Sequence, residues 1–442
     1  MLDIDIGVGL LTIMFFGLLV VTLFLGLPLA FALGGTAVIF TILFWGPTSL
    51  FMFPAKALGS MTSIIMVAIP LFIFMGATLA RSGLADELYE MAYHWIGRLG
   101  GGLAMGTVGI CAIFAAMAGA SAPATVTMGI VALPSMFKRG YKSSIAVGSI
   151  AAGGALGILI PPSITMILYS LMTGVSVGHM FIGGILPGLL LTFMFMAYIG
   201  IRCLFQPDQG PAIPREERCT LRERIILLRA VILPIALVVL VLGSIYTGLA
   251  TPTEAAAVGA FGALIVAAIH RKLNGQVTLE ILKETVRLTT MVMWIVMGGL
   301  WFAAVYQAIG ASNLMLELIE GLPFGRWGII IIMQLTFFVL GMLMDPTGII
   351  FICMPVYMPI ILHLGFDPLW FGVVFIVNME MAYLTPPFGM NLFYLRAVVP
   401  EKDVSMGEIY RAAFPFILVQ AVGLAIVMIF PKIILWLPNM MM

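Results

Sequence analysis

GMLMDPTG (341–348) and NMEMAYLTPPFGMN (378–391) each interrupt an apolar run long enough to cross a bilayer. Asp345 is followed by Pro346, and Pro386–Pro387 is flanked by Thr385 and Gly389. Proline lacks an N–H and clashes with the preceding turn, so a helix cannot pass unbroken through the Pro-Pro pair. Broken backbone at membrane depth is tolerated only where it is buried in protein or lines a wet cavity. The stretch 341–391 therefore reads as half of an ion and substrate site.

The design occurs twice. GASAPAT (119–125) interrupts one earlier run and ALGILIPPS (155–163) the next. Pro123 to Pro161 is 38 residues and Pro346 to Pro386 is 40, with 223 to 225 residues between the copies. Gly76 and Gly299 share the same offset. Paired broken helices at corresponding positions of two halves point to the central site of a secondary transporter.

Composition agrees. Of 442 residues, 62% are hydrophobic and 9% charged, with a mean hydropathy of +1.16. A soluble domain carries about 25% charged residues. A net charge of +1 gives no footing for nucleic acid, and the four cysteines have no metal-site spacing. The opening MLDIDIG has no basic n-region and reads as the lead-in to a first span.

Apolar runs near 6–25, 28–45, 61–80, 179–203, 226–249, 253–270, 290–310 and 410–436 read as spans. The expected fold is an all-α polytopic membrane protein of two inverted repeats, 1–205 and 225–442. Each repeat holds a re-entrant helical hairpin (about 102–136 and 327–362) and a discontinuous helix (about 144–174 and 369–399). Segments 84–98 and 276–289 suit amphipathic helices along the interface. If both hairpins leave on the side they entered, every Lys and Arg of the 21 except Lys56, Arg326 and Lys432 falls on one side. The positive-inside rule makes that side cytoplasmic. It puts the polar linker 206–224 inside and both termini outside.

Two acids lie at membrane depth. Asp345 is more than ~20 Å of helix from its entry near residue 328, and Glu380 is similarly deep in its run. An ionised side chain there costs at least ~3 kcal/mol unless paired or solvated. Asp345-Pro-Thr is also a good N-cap, so cation ligation and capping both stand. Glu380 reads as an ion ligand, a substrate-side residue or a buried partner. Ser121, Thr125, Ser163, Thr347, Thr385 and Asn391 add side-chain oxygens suited to a hard cation or a polar substrate. Glu254 in ATPTEAAA (250–257) reads as a helix cap. An intramembrane protease would need paired aspartates, a Ser-His pair or a zinc set, and the sequence offers none, so an enzyme is not expected.

KRGY (138–141) leading into AAGGALGILIPPS (151–163), IYTGLATPTEAAA (245–257), LGMLMDPTGII (340–350) and LTPPFGMNLF (384–393) together resemble the large membrane subunit of tripartite ATP-independent periplasmic (TRAP) transporters. The resemblance covers essentially the whole chain. It implies a sodium-driven importer of an organic acid with an elevator motion, scaffold and transport domains, and a bacterial inner-membrane location. It also implies two partners, a small four-span membrane subunit and a periplasmic binding protein; no fused small subunit is expected. By resemblance, at least two sodium ions bind. One lies between the first tip (Ala120, Ser121) and the break around Gly157, Pro161 and Ser163. The other lies between Asp345–Thr347 and the break at Thr385, Pro386 and Gly389. The substrate is expected between the tips, near Ser121, Thr125, Ser163, Glu380 and Asn391. The first tip, AGASAPATV, has fewer hydroxyls than the family's usual tip, so backbone carbonyls are expected to ligate there. The alternative is a single-component sodium–carboxylate symporter of similar architecture.

Overall fold

Helix-breaking residues set the outline of the computed structural model, which describes residues 7–214, 219–320, 323–400 and 404–441, with backbone alone at 318–320. Among the described residues the regular structure is helical, without strands. The first helices are α1 (Val8–Phe24), α2 (Leu29–Trp45), α3 (Met52–Met61), α4 (Ile64–Ala80) and α5 (Leu84–Ile96). A helical hairpin follows, α6 (Gly102–Ala118) and α7 (Ser121–Lys138), then the interrupted pair α8 (Ser143–Ala155) and α9 (Ile164–Thr173), and α10 (Val177–Phe205). The chain continues through α11 (Leu221–Leu227), α12 (Arg229–Tyr246), α13 (Pro252–Ile269), α14 (Gly275–Ala308) and α15 (Ala311–Glu320). A second hairpin, α16 (Arg326–Gly341) and α17 (Pro346–His363), precedes a second interrupted pair, α18 (Pro368–Tyr383) and α19 (Met390–Arg396). α20 (Met406–Ile429) and α21 (Lys432–Leu435) close the fold.

Among the described residues six helices are long and apolar enough to cross a membrane, or seven if Pro47–Met61 and α4, bent by 61° to each other, count as one span. α1, α2 and α6 are apolar helices of 17 residues, at the short end of what spans a bilayer. Large apolar side chains on α10, α12 and α13 face outward, Phe193 at 70% and Phe261 at 66% exposure. That is expected where the solvent is lipid.

Close packing rests on small residues. α2 lies on α14, and α13 lies on α4. A Cβ on Gly298 of α14 would stand 2.5 Å from the Ala30 carbonyl oxygen of α2. A Cβ on Gly76 of α4 would stand 2.7 Å from the Ala118 Cα at the end of α6. Without a hydrophobic drive between helices in lipid, such backbone approach is what dispersion forces act through.

Several sequence expectations are refined. Residues 276–289 form no separate interfacial helix. They begin the continuous 34-residue α14, because nothing between Gln276 and Gly298 breaks a helix. The run 410–436 ends early, at Ile429, where Pro431 intervenes. α3 and α15 were not anticipated. α5 matches the amphipathic segment at 84–98. Glu254 caps α13 as expected: Thr251 N–H donates to its carboxylate at 2.8 Å, and its own N–H donates to Thr251 Oγ1 at 3.3 Å. Cys111, Cys203 and Cys353 are buried free thiols.

The linker 206–224 is docked for much of its length. Gly101 N–H donates to Gly210 O at 2.8 Å, Ile213 N–H to Gly97 O at 2.9 Å, and Lys142 N–H to Gln209 O at 3.0 Å. Residues 215–218 of the linker lie outside the described residues. Its last four residues already belong to α11, started by a Thr220–Glu223 capping box.

Gly298→Val should lower the melting temperature in detergent, since the neighbour it would strike is backbone. Gly17→Ala, where a Cβ meets nothing within 4 Å, should leave it unchanged or slightly raised. Equal melting of the two variants would contradict the packing described for α2 and α14.

Candidate functional site

Gly119 ends α6 in the left-handed region at φ 65°, a conformation glycine adopts without a side-chain clash. Ala120 then runs extended, and α7 starts at Ser121. This two-residue tip lies directly on the first interruption. Gly119 O accepts from Ile164 N–H at 3.2 Å, at the start of α9. A Cβ on Gly157 would stand 2.4 Å from Ala120 O and 2.7 Å from the Ser121 Cα. A Cβ on Gly119 would stand 2.7 Å from Pro162 O. Ser163 Oγ donates across the interruption to Ile158 O at 2.6 Å. Ala120, Ser121, Gly157, Pro161 and Ser163 are thus brought together. Apart from half-buried Ala120 all are buried.

The second tip is charged. Asp345 caps α17, its Oδ1 accepting from Thr347 N–H at 2.9 Å. Its Oδ2 accepts from the Tyr383 hydroxyl, at the end of α18. A Cβ on Gly341 would stand 2.6 Å from the Ala382 Cβ, so this hairpin also packs on its own interrupted helix. Thr385 Oγ1 donates to Met381 O at 2.8 Å, and Gly389 takes φ 54° ahead of α19. Tyr410 O–H donates to Pro387 O at 2.8 Å, tying this break to α20. Both Pro-Pro bonds, 161–162 and 386–387, are cis. Unlike the first break, the second is partly open: Pro386 is half-buried, and Pro387 and Phe388 are exposed.

The far half of each interrupted helix packs against the opposite hairpin, α9 on α17 and α19 on α7. Two side chains make the crossing. Tyr169 of α9 donates to Pro368 O at 2.7 Å. Asn391 of α19 donates through Nδ2 to Ala151 O of α8, and its Oδ1 accepts from Thr125 Oγ1 of α7 at 2.5 Å. Thr125 and Asn391 are fully buried, so their polar atoms serve this link between the hairpin and both interrupted helices.

Glu380, one turn before Tyr383, is 1% exposed and bonded to Gln420 of α20. No hydrogen bond among the described residues joins it to either tip. Sequence reasoning missed Tyr383 and Gln420. Gln420 carried a signal: it is the sole polar side chain between Arg411 and Lys432. Tyr383 carried little, since tyrosine is common at the ends of membrane helices. A cavity of about 140 Å³ lined by Thr41, Trp45, Lys56 and Trp301 touches none of the tip residues.

Chemically, the tips offer a hard-cation donor set: carbonyl and hydroxyl oxygens at the first, and a carboxylate with carbonyls and hydroxyls at the second. Groups of three or more His, Cys, Asp or Glu that could hold a metal do not occur among the described residues. Four helix N-termini, at Ser121, Ile164, Pro346 and Met390, start at the tips and breaks. Such ends carry partial positive charge and favour anions.

Residues 16–433 match the family described as tripartite ATP-independent periplasmic transporter, DctM component. The chain is 35% identical over 400 residues to the C4-dicarboxylate TRAP transporter large permease protein DctM of Pseudomonas aeruginosa, covering 90% of this chain and 92% of that relative. It is 32% identical over 420 residues to the isethionate TRAP transporter permease protein DctMQ of Oleidesulfovibrio alaskensis, covering 95% of this chain and 65% of that longer relative. The Alcanivorax borkumensis YdaH transporter, at 14% identity, superposes with a TM-score of 0.61 over 89% of each chain. That likeness is one of fold.

Asn391→Ala should strip Ala151 O and Thr125 of a buried partner and destabilise the fold by about 1–3 kcal/mol. Lower thermal stability of the purified variant would register this, and unchanged melting would show that the link carries no weight.

Proposed function

The chain belongs to the DctM family of TRAP transporters, and on that premise we propose that it imports an organic acid with sodium ions across the bacterial inner membrane. It is the large permease subunit and not an enzyme; its relatives are transport permeases. The family assignment displaces the single-component symporter expected as the alternative. Large permeases of this family work with a small membrane subunit and a periplasmic binding protein. Here these would be a four-span subunit and a protein that delivers the acid to the outer face. C4-dicarboxylate and isethionate, named for two relatives, are small organic anions, and this chain would take one of that class.

The supporting observation is the interlock at the tips. Each hairpin rests on its own interrupted helix, and each interrupted helix sends its far half to the other hairpin. Sodium would be cargo, not a resident cofactor. One ion would be held by backbone oxygens at Ala120 and Ser121 with the 157–163 break, where Gly157 leaves room for backbone approach and Ser163 supplies a hydroxyl. The other would be held by Asp345 and Thr347 with Thr385, Pro386 and Gly389. The anion would sit between the tips near Ser121, facing the helix N-termini. In this reading the halves 1–205 and 225–442 are inverted repeats. The hairpins and interrupted helices move as one body against a scaffold of α1, α2, α4 and α12–α14. Both termini are periplasmic.

With partner subunits in liposomes, Asp345→Asn should cut sodium-driven uptake roughly tenfold or more, the ~1.4 kcal/mol scale of one lost ligand contact. Wild-type sodium dependence in a folded variant would leave Asp345 as a cap alone. Reporter fusions after residue 210 should read cytoplasmic and fusions near residue 318 periplasmic. The opposite pattern would overturn the inverted arrangement.

A further inference from the structure

Among the described residues Glu380 is the most buried acid, and no ion pair reaches it. It is 1% exposed and Gln420 is 0% exposed. Gln420 Nε2 donates both to Glu380 Oε2 at 2.9 Å and to Val377 O at 3.2 Å. Those two acceptors fix the amide's orientation, because a flipped amide would press oxygen against oxygen. Two oxygens then have no partner among the described residues: Glu380 Oε1 and Gln420 Oε1. Both are acceptors as they stand. One proton on Glu380 Oε1 turns an orphan acceptor into a donor, and Gln420 Oε1 lies on the same amide that already donates to this carboxyl. A carboxylic acid and a primary amide can join by two antiparallel hydrogen bonds. An ionised carboxylate here would keep both orphans and add a desolvated charge.

Among the described residues no ion pair reaches Glu380, and the charged groups of the elements packed on α18 and α20 stand near element ends, Lys432 opening α21 among them. Arg326 opens α16, His363 closes α17 and Arg396 closes α19. His179 and Arg202 lie near the ends of α10, and Glu408 and Arg411 lie in the first turns of α20. Gln420 is nine residues beyond Arg411, about 13 Å along the helix.

We propose that Glu380 is carried as the neutral acid, its proton donated to Gln420 Oε1, and that this acid–amide pair clamps α18 to α20. Glu380 is then a positioning residue. One turn later on α18, Tyr383 holds Asp345, so the clamp sets where the second tip finds its partner. The proton stays in place through the cycle and is neither coupling ion nor substrate contact. The inference rests on the transport reading only for its uptake readout.

The test is infrared spectroscopy of the purified protein at neutral and mildly alkaline pH, wild type against Glu380→Gln. A protonated-carboxyl band lost in the variant is expected; a carboxylate band lost instead overturns the proposal. In liposomes with the partner subunits, Glu380→Gln, which keeps a neutral side chain of the same shape, should retain uptake within roughly threefold. Its sodium dependence should be unchanged. Gln420→Ala and Gln420→Glu should each lower melting temperature and uptake together, and the exchange, adding Glu380→Gln to Gln420→Glu, should restore both. Abolished uptake in a folded Glu380→Gln variant, or no rescue by the exchange, overturns the positioning role. Absent uptake in the wild type would count against the transport reading, and the infrared band would still decide where the proton is.

Discussion

A helix interrupted inside hydrocarbon strands up to four carbonyls on one side of the gap and four N–H groups on the other. Lipid satisfies none of them. In this protein the protein itself supplies partners at each gap. Gly119 O takes Ile164 N–H, Ile158 O takes the Ser163 hydroxyl, and Met381 O takes the Thr385 hydroxyl. Pro387 O takes the Tyr410 hydroxyl, and the Asp345 carboxylate takes Thr347 N–H. The interruptions can exist only where hairpin and broken helix touch at backbone distance. That is why glycine stands at 119, 157 and 341, where any Cβ would meet its neighbour within 2.7 Å.

The same requirement ties the two interrupted regions together. Asn391 belongs to the second but bonds to α7 and α8 of the first. Tyr169 belongs to the first but bonds to the start of α18. The Asn391 links are buried and the Tyr169 link partly so, where a hydrogen bond is strong and an orphaned partner is expensive. Displacing one interrupted region without the other would break such a link, so the two are bound into one unit. Around them, the contact of α2 with α14 depends on small residues and shape, and that of α13 with α4 adds one exposed hydrogen bond, from Thr253 Oγ1 to Ile64 O at 3.0 Å. This division of bonding is what the proposed moving body and scaffold would require.

Much of this was legible in the sequence because the signals were local. Pro-Pro, Gly119 and Asp345-Pro346 mark breaks wherever they occur, and the hairpin limits fell within a few residues of the observed helices. The cap at Glu254 needed only its own turn. What escaped notice was either non-local or negative. Tyr383 and Gln420 matter through partners 38 and 40 residues away, which no local pattern encodes. The continuity of α14 follows from the absence of a breaker, whereas the amphipathic look of 276–289 suggested a boundary. The pairing of Thr125 with Asn391 spans 266 residues and leaves no periodic trace in the sequence.

The two breaks also differ in a way that bears on charge. The first is buried and lined by neutral oxygens, while the second is partly open and carries Asp345. A fixed charge at membrane depth costs at least ~3 kcal/mol unless compensated. With Glu380 neutral, Asp345 is the one fixed acid near the tips, and it lies where a cation would arrive. An ionised Glu380 would add a second negative charge, buried one turn before the tyrosine that holds Asp345. On the proposed elevator reading, a body carried through a low-dielectric layer would be better served by a single acid that a bound cation can neutralise. The pairing of Glu380 with an amide, in place of an arginine or lysine, follows from that constraint.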